Sequence, residues 1–235
     1  MTKNQQVLAK MGGGSLAILL SLSLGQQASA ATLVSNLPPT TSSLDTGGAV
    51  QTNSWLRSSF TTGSVSYGYT LNSVTLQFRQ VTADANLFVR LYENNAGLLG
   101  NLITSFTNPG SITTTNDNNT FTLNTPQTLD ANTSFWLVVG IDAPAGTGGE
   151  YSWRGTNSLD QTGFTGWSIG DSSLFSPNQG LNWTDSDIAN AFQFSVNGTE
   201  NPPPTNIPEP GSVVALLGLG GLGLASRLKK LSTRA

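Results

Sequence analysis

Between Ala31 and Gly198 several runs carry an apolar side chain at every second residue, and no stretch carries a convincing 3.6-residue apolar stripe of an amphipathic helix. Val74, Leu76 and Phe78 alternate with Thr75, Gln77 and Arg79. Leu87, Val89 and Leu91 alternate with Phe88, Arg90 and Tyr92, and Phe192, Phe194 and Val196 with Ala191, Gln193 and Ser195. Residues spaced in this way line opposite faces of a strand. Residues 135–141 (FWLVVGI) are apolar almost without a break, the pattern of a central strand buried on both faces. Weaker strand candidates lie at 54–61, 102–106, 121–123, 151–154 and 167–169. Turn chemistry separates them: Asn94-Asn95-Ala96-Gly97, Asn108-Pro109-Gly110, Asn116-Asp117-Asn118-Asn119 and Gly146-Thr147-Gly148-Gly149. About eight or nine short strands joined by polar turns predict an all-β fold, an antiparallel β-sandwich of jelly-roll-like topology.

This body, 31–198, is roughly 170 residues long, enough for one hydrophobic core. It needs that core, because the chain has no cysteine and hence no disulfide. There is no histidine either, and the two absences together exclude thiol nucleophiles, Ser-His-Asp triads and His/Cys zinc sites. Four arginines (Arg57, Arg79, Arg90, Arg154) stand against eleven carboxylates in the body, a net −7 with no lysine. That sign predicts no nucleic-acid partner.

The ends differ from the body. Residues 1–30 read as a signal peptide: Lys3 and Lys10 form a basic head, 16–24 an apolar middle, and Ala28-Ser29-Ala30 a small-x-small exit for signal peptidase. The mature chain is then expected to begin at Ala31. Near the other end, 211–225 (GSVVALLGLGGLGLA) is apolar, and Arg227, Lys229, Lys230 and Arg234 follow it. Fifteen helical residues span roughly 22 Å, and snorkelling basic side chains lengthen the reach toward a bilayer core of about 30 Å. The sequence thus predicts a single transmembrane helix at about 211–226, with the basic tail 227–235 on the cytoplasmic side. Residues 199–206 contain Pro202-Pro203-Pro204 and predict an extended spacer.

Pro208-Glu209-Pro210 stands just before the apolar stretch. This order of Pro-Glu-Pro, short apolar helix and basic cluster, over 207–235, resembles the PEP-CTERM protein-sorting signal. The resemblance implies an exported protein whose tail is processed by an exosortase. Several phrases of the body resemble the choice-of-anchor R domain: Leu33-Val34-Ser35-Asn36-Leu37, Ser59-Phe60-Thr61-Thr62-Gly63, Val89-Arg90-Leu91-Tyr92, Gly166-Trp167-Ser168-Ile169-Gly170-Asp171 and Phe192-Gln193-Phe194-Ser195-Val196. That resemblance implies an exported, anchored β domain and assigns it no biochemical activity.

Three kinds of chemistry remain open for the body. Tryptophan rings stack on sugar faces, so Trp153, Trp167 and Trp183, with Arg154, Asp171 and Asp185 nearby in sequence, are candidates for glycan binding. Two or three coplanar exposed rings would favour it; buried rings would count against it. Structural calcium is the second, with Asp117, Asp185 and Asp187 as candidate oxygen ligands, although neither Asx cluster fits an EF-hand loop. A glycoside hydrolase is the third, but no spacing among the carboxylates singles out a catalytic pair. The sequence therefore predicts no catalytic residue and no required cofactor. It predicts an inner-membrane-anchored precursor delivered to the envelope surface or extracellular matrix, with a structural or adhesive role. Extracellular polysaccharide is the expected partner, and a carbohydrate-binding module is the alternative reading.

Overall fold

The computed structural model describes residues 30–37, 46–144, 146–187 and 189–204. The expected signal peptide through Ser29, the sorting motif, the apolar span and the basic tail lie outside these residues. Within them the fold is all-β. The first seven strands are β1 (Ala31–Ser35), β2 (Gly47–Val50), β3 (Trp55–Thr61), β4 (Tyr69–Thr82), β5 (Leu87–Asn95), β6 (Leu98–Phe106) and β7 (Asp117–Leu129). Then come β8 (Ser134–Ile141), β9 (Glu150–Thr156), β10 (Thr162–Gly163), β11 (Ser168–Ser176), β12 (Thr184–Asp185), β13 (Ala191–Phe192) and β14 (Phe194–Glu200). Among the described residues no helix is long and apolar enough to cross a membrane.

Two antiparallel sheets form a sandwich. One has the order β12-β11-β3-β8-β5-β6; the other runs β10-β1-β14-β4-β9-β13, with β2 on β9 and β7 on β4. The continuous apolar run becomes β8, seated between β3 and β5, and seven of its eight residues are buried. Its Phe135, Leu137, Val139 and Ile141 join the main core, while Trp136 and Val138 enter a second cluster. Facing them across the main core are Leu76, Phe78, Phe121, Trp153, Phe194 and Val196. Alternation accounts for this directly, because each strand sends every second side chain between the sheets.

β4 departs from strict alternation. Tyr69 and Leu71 are buried, and so are Val74, Leu76 and Phe78, so the phase changes once. The pairing with β14 and the pairing with β7 both shift between Leu71 and Ser73, which makes Asn72 a bulge residue. One inserted residue flips the faces of a strand. Here it keeps both halves of β4 turned inward.

Gln193 separates β13 from β14 and transfers the chain between two neighbours. Its N–H donates to the Arg154 carbonyl of β9 (2.8 Å), and its own carbonyl accepts from Gln77 of β4 (3.1 Å). Buried Asn36 braces the same stretch: its amide donates to the Phe192 carbonyl (3.0 Å) and its oxygen accepts from Phe194 N–H (2.8 Å). A side chain thus completes main-chain bonding that the break would leave open.

Candidate functional site

The start and the exit of the sandwich lie side by side. Ala31 in β1 pairs with Gly198 in β14, so the expected mature N-terminus and the departure toward the spacer share one end of the fold. Ala30, the expected last residue of the leader, is exposed. β14 continues to Glu200, and Asn201 is clasped behind it. Asn201 N–H donates to the Gly68 carbonyl (3.1 Å), its side-chain amide to the Tyr67 carbonyl (2.9 Å), and its oxygen accepts from the Thr70 hydroxyl (2.6 Å). The three prolines that follow begin from a fixed point, and Pro202, Pro203 and Pro204 are exposed.

Residues 206–230 match the family model of the PEP-CTERM protein-sorting motif. That range contains Pro208, Glu209 and Pro210 and the basic residues Arg227, Lys229 and Lys230. The sorting motif implies an exported, envelope-associated protein processed by an exosortase. It begins five residues after Asn201, the clasp that ends the folded body. Comparison with curated proteins and with solved structures gave no match. The matched motif lies in the tail, and none of the comparisons supports the body's expected resemblance to the choice-of-anchor R domain.

The tryptophans expected as a glycan platform do not form one. Trp153 is fully buried, stacked on Phe192 at 4.7 Å between centroids, and its indole N–H donates to the Gln193 carbonyl (2.9 Å). Trp167 is also buried, parallel to Phe60 at 6.0 Å and edge-on to Tyr69 at 4.8 Å. Both occupy positions where large apolar area is worth more inside the core than on the surface. Trp183 is half-buried and lies over the Arg57 guanidinium, 4.5 Å from its ring centroid. Arg154 is half-buried on β9, on the opposite sheet from Trp183.

The candidate calcium ligands sit in locally bonded turns. Asp117 accepts from Asn118 N–H (2.7 Å) and Asp185 from Asp187 N–H (3.3 Å). Such Asx bonding explains the Asx-rich spacing by itself. Among the described residues no three acidic side chains gather into a cluster able to hold a metal ion.

Two open clefts mark the surface. One, of about 250 Å³, is lined by Asn36, Asp160, Gln161, Ile169 and Asp171 among others, so the Gly-Trp-Ser-Ile-Gly-Asp stretch forms part of its wall. The other is lined by Gln51, Thr52, Thr82 and the 146–150 loop. Asp84 anchors that loop: its carboxylate accepts from Gly149 N–H (2.7 Å) and from Asn86 N–H (2.7 Å). The Asn86 N–H holds the Asp84 carboxyl below the usual aspartate range; burial opposes it, and the Gly149 N–H and the Asn86 side chain add to the lowering. A depressed folded-state value means that the anchoring is complete above the ordinary aspartate range, about 3.9, and is lost as pH falls through the folded value. The amide proton shift of Gly149 is therefore expected to stay flat through the ordinary aspartate range and to titrate only below it. In Asp84→Asn that titration should vanish. A Gly149 shift that moves near pH 6, or titrates unchanged in the variant, would contradict the assignment.

Proposed function

We propose that the chain is a surface protein of the cell envelope or its extracellular matrix, in which the β-sandwich serves a structural or adhesive role. One observation carries this reading: a sorting motif at 206–230 follows directly on a sandwich whose two termini leave from the same end. With both ends together, the tether or cut is confined to one pole and the rest of the sandwich projects outward. The surface chemistry agrees, since Ser, Thr, Asn and Gly dominate the exposed turns and charge is sparse. The role is non-catalytic in this reading. The choice-of-anchor R resemblance of the body points the same way.

Deleting the gene tests the role separately from the address. Cells lacking the protein are expected to lose matrix cohesion, read as faster dispersal of cell aggregates under shear, and to regain it when the chain is restored. Aggregates of unchanged strength would overturn the adhesive reading.

A further inference from the structure

The outward face of the six-stranded sheet carries a second cluster. Trp55, Phe88, Trp136 and Val138 are buried there, ringed by partly buried Tyr92, Leu99, Leu174 and Trp183. The solvent side of an antiparallel sheet is ordinarily polar. Gly140 makes room for this packing, because a Cβ at that position would come within 2.6 Å of both Phe88 and Trp55. Two of the body's four arginines share the face, on either side of Val138: Arg57 pairs with it from β3 and Arg90 from β5. Arg90 lies 3.9 Å over Phe88 and pairs with Asp142 at 3.1 Å.

Arg57 is different. Its guanidinium is sandwiched between Trp136 (4.0 Å) and Trp183 (4.5 Å), and the residue is 4% exposed. Nη2 donates to the Gly97 carbonyl at 3.1 Å. Nε and Nη1 have no partner among the described residues, and neither do the indole nitrogens of Trp136 and Trp183. All four are donors. Burial pushes the Arg57 pKa down to about 10, which leaves the group charged at neutral pH. A buried cation whose bonded acceptor is one neutral carbonyl is costly unless an anion joins it.

We propose that this face binds an acidic saccharide, with a sugar carboxylate taken by Arg57 and the Trp136 indole N–H and the sugar ring laid on the aromatic surface. A carboxylate only accepts hydrogen bonds, and so complements a set made only of donors. Trp183 is the half-buried ring of the stack, on the segment between β11 and β12, and turns aside to admit the ligand. Two exposed apolar residues neighbour the stack in sequence: Leu181 on the same segment as Trp183, and Leu98 next to Gly97, whose carbonyl holds Arg57. The body is otherwise acidic, so binding depends on this site and not on general attraction of polyanions. The inference rests on the surface reading, which brings the domain to polysaccharide.

The test titrates the full chain, in detergent micelles, with oligogalacturonate and follows tryptophan emission. A saturable change is expected, absent with a neutral cello-oligosaccharide and with polyglutamate. Arg57→Gln is expected to weaken binding about tenfold or more, the scale of a charge-assisted contact, while Arg79→Gln on the other sheet leaves it unchanged. Should Arg57→Gln fail to fold, Trp183→Ala keeps the guanidinium and must still lower the affinity. No saturable change, an equal response to the neutral sugar or to polyglutamate, or wild-type affinity in these variants would overturn the proposal. A flat titration with a normally processed tail removes this inference and leaves the surface reading in place.

Discussion

Replacing Trp153 with alanine is expected to lower domain stability by about 3–5 kcal/mol and the melting temperature by roughly 10 °C. Two losses contribute, and they are unequal. The indole N–H leaves the Gln193 carbonyl, but that oxygen keeps its bond from Gln77, so it is not orphaned. The larger loss is the ring itself, which is fully buried and packs against Phe192 and Phe194. Truncation leaves a cavity between the sheets that their backbones cannot close. Trp153→Phe separates the two: it removes the donor but keeps most of the packing, and should cost about 1–2 kcal/mol. Thermal unfolding followed by near-UV circular dichroism distinguishes these values. A Trp153→Ala protein melting within about 2 °C of wild type would contradict a core position for this ring.

The second large effect belongs to the tail. Replacing Pro208, Glu209 and Pro210 with alanines is expected to abolish processing, so that at least about nine-tenths of the protein stays as the longer, membrane-retained form. Each proline fixes φ and removes a backbone donor, which disfavours helix at its own position and at the residue before it. Alanine favours helix most strongly, so the same three positions would let the expected 211–226 helix grow backward through the motif. The sandwich should be unaffected, because Asn201 already ends it before the spacer. Immunoblotting of membrane and released fractions reads the result. Undiminished processing of the triple-alanine chain would remove the motif from the account.

Much of this molecule is legible in its sequence, for identifiable reasons. The uninterrupted run at 135–141 reads as a central strand because burial on both faces removes any need for alternation, and β8 is such a strand. The second half of β4 shows its period in Val74, Leu76 and Phe78. Its first half does not, because the Asn72 bulge resets the phase. β7 runs over thirteen residues, of which sequence alone picks out 121–123. It lies beyond β4 at the margin of its sheet, and most of its side chains are solvated Thr, Asn and Gln that carry no hydrophobic period. Strand 191–196 reads as half-polar, yet all six residues are buried, since Asn36 and Trp153 satisfy its main chain from the sides. Nothing in the sequence around Arg57 marks it as buried. Its burial depends on rings supplied by β8 and by the segment before β12, which are distant in sequence and meet only after folding. The sorting motif is legible because its parts, Pro208-Glu209-Pro210, an apolar stretch and a basic cluster, follow one another in sequence.

Both ends of the chain are expected to be addresses that are read and removed. Intact-mass spectrometry of the protein recovered from its native host tests this most directly. The predicted mass is that of a chain beginning at Ala31 and ending near Pro208–Pro210. A full-length chain of 235 residues, recovered intact from the cytosol, would contradict it.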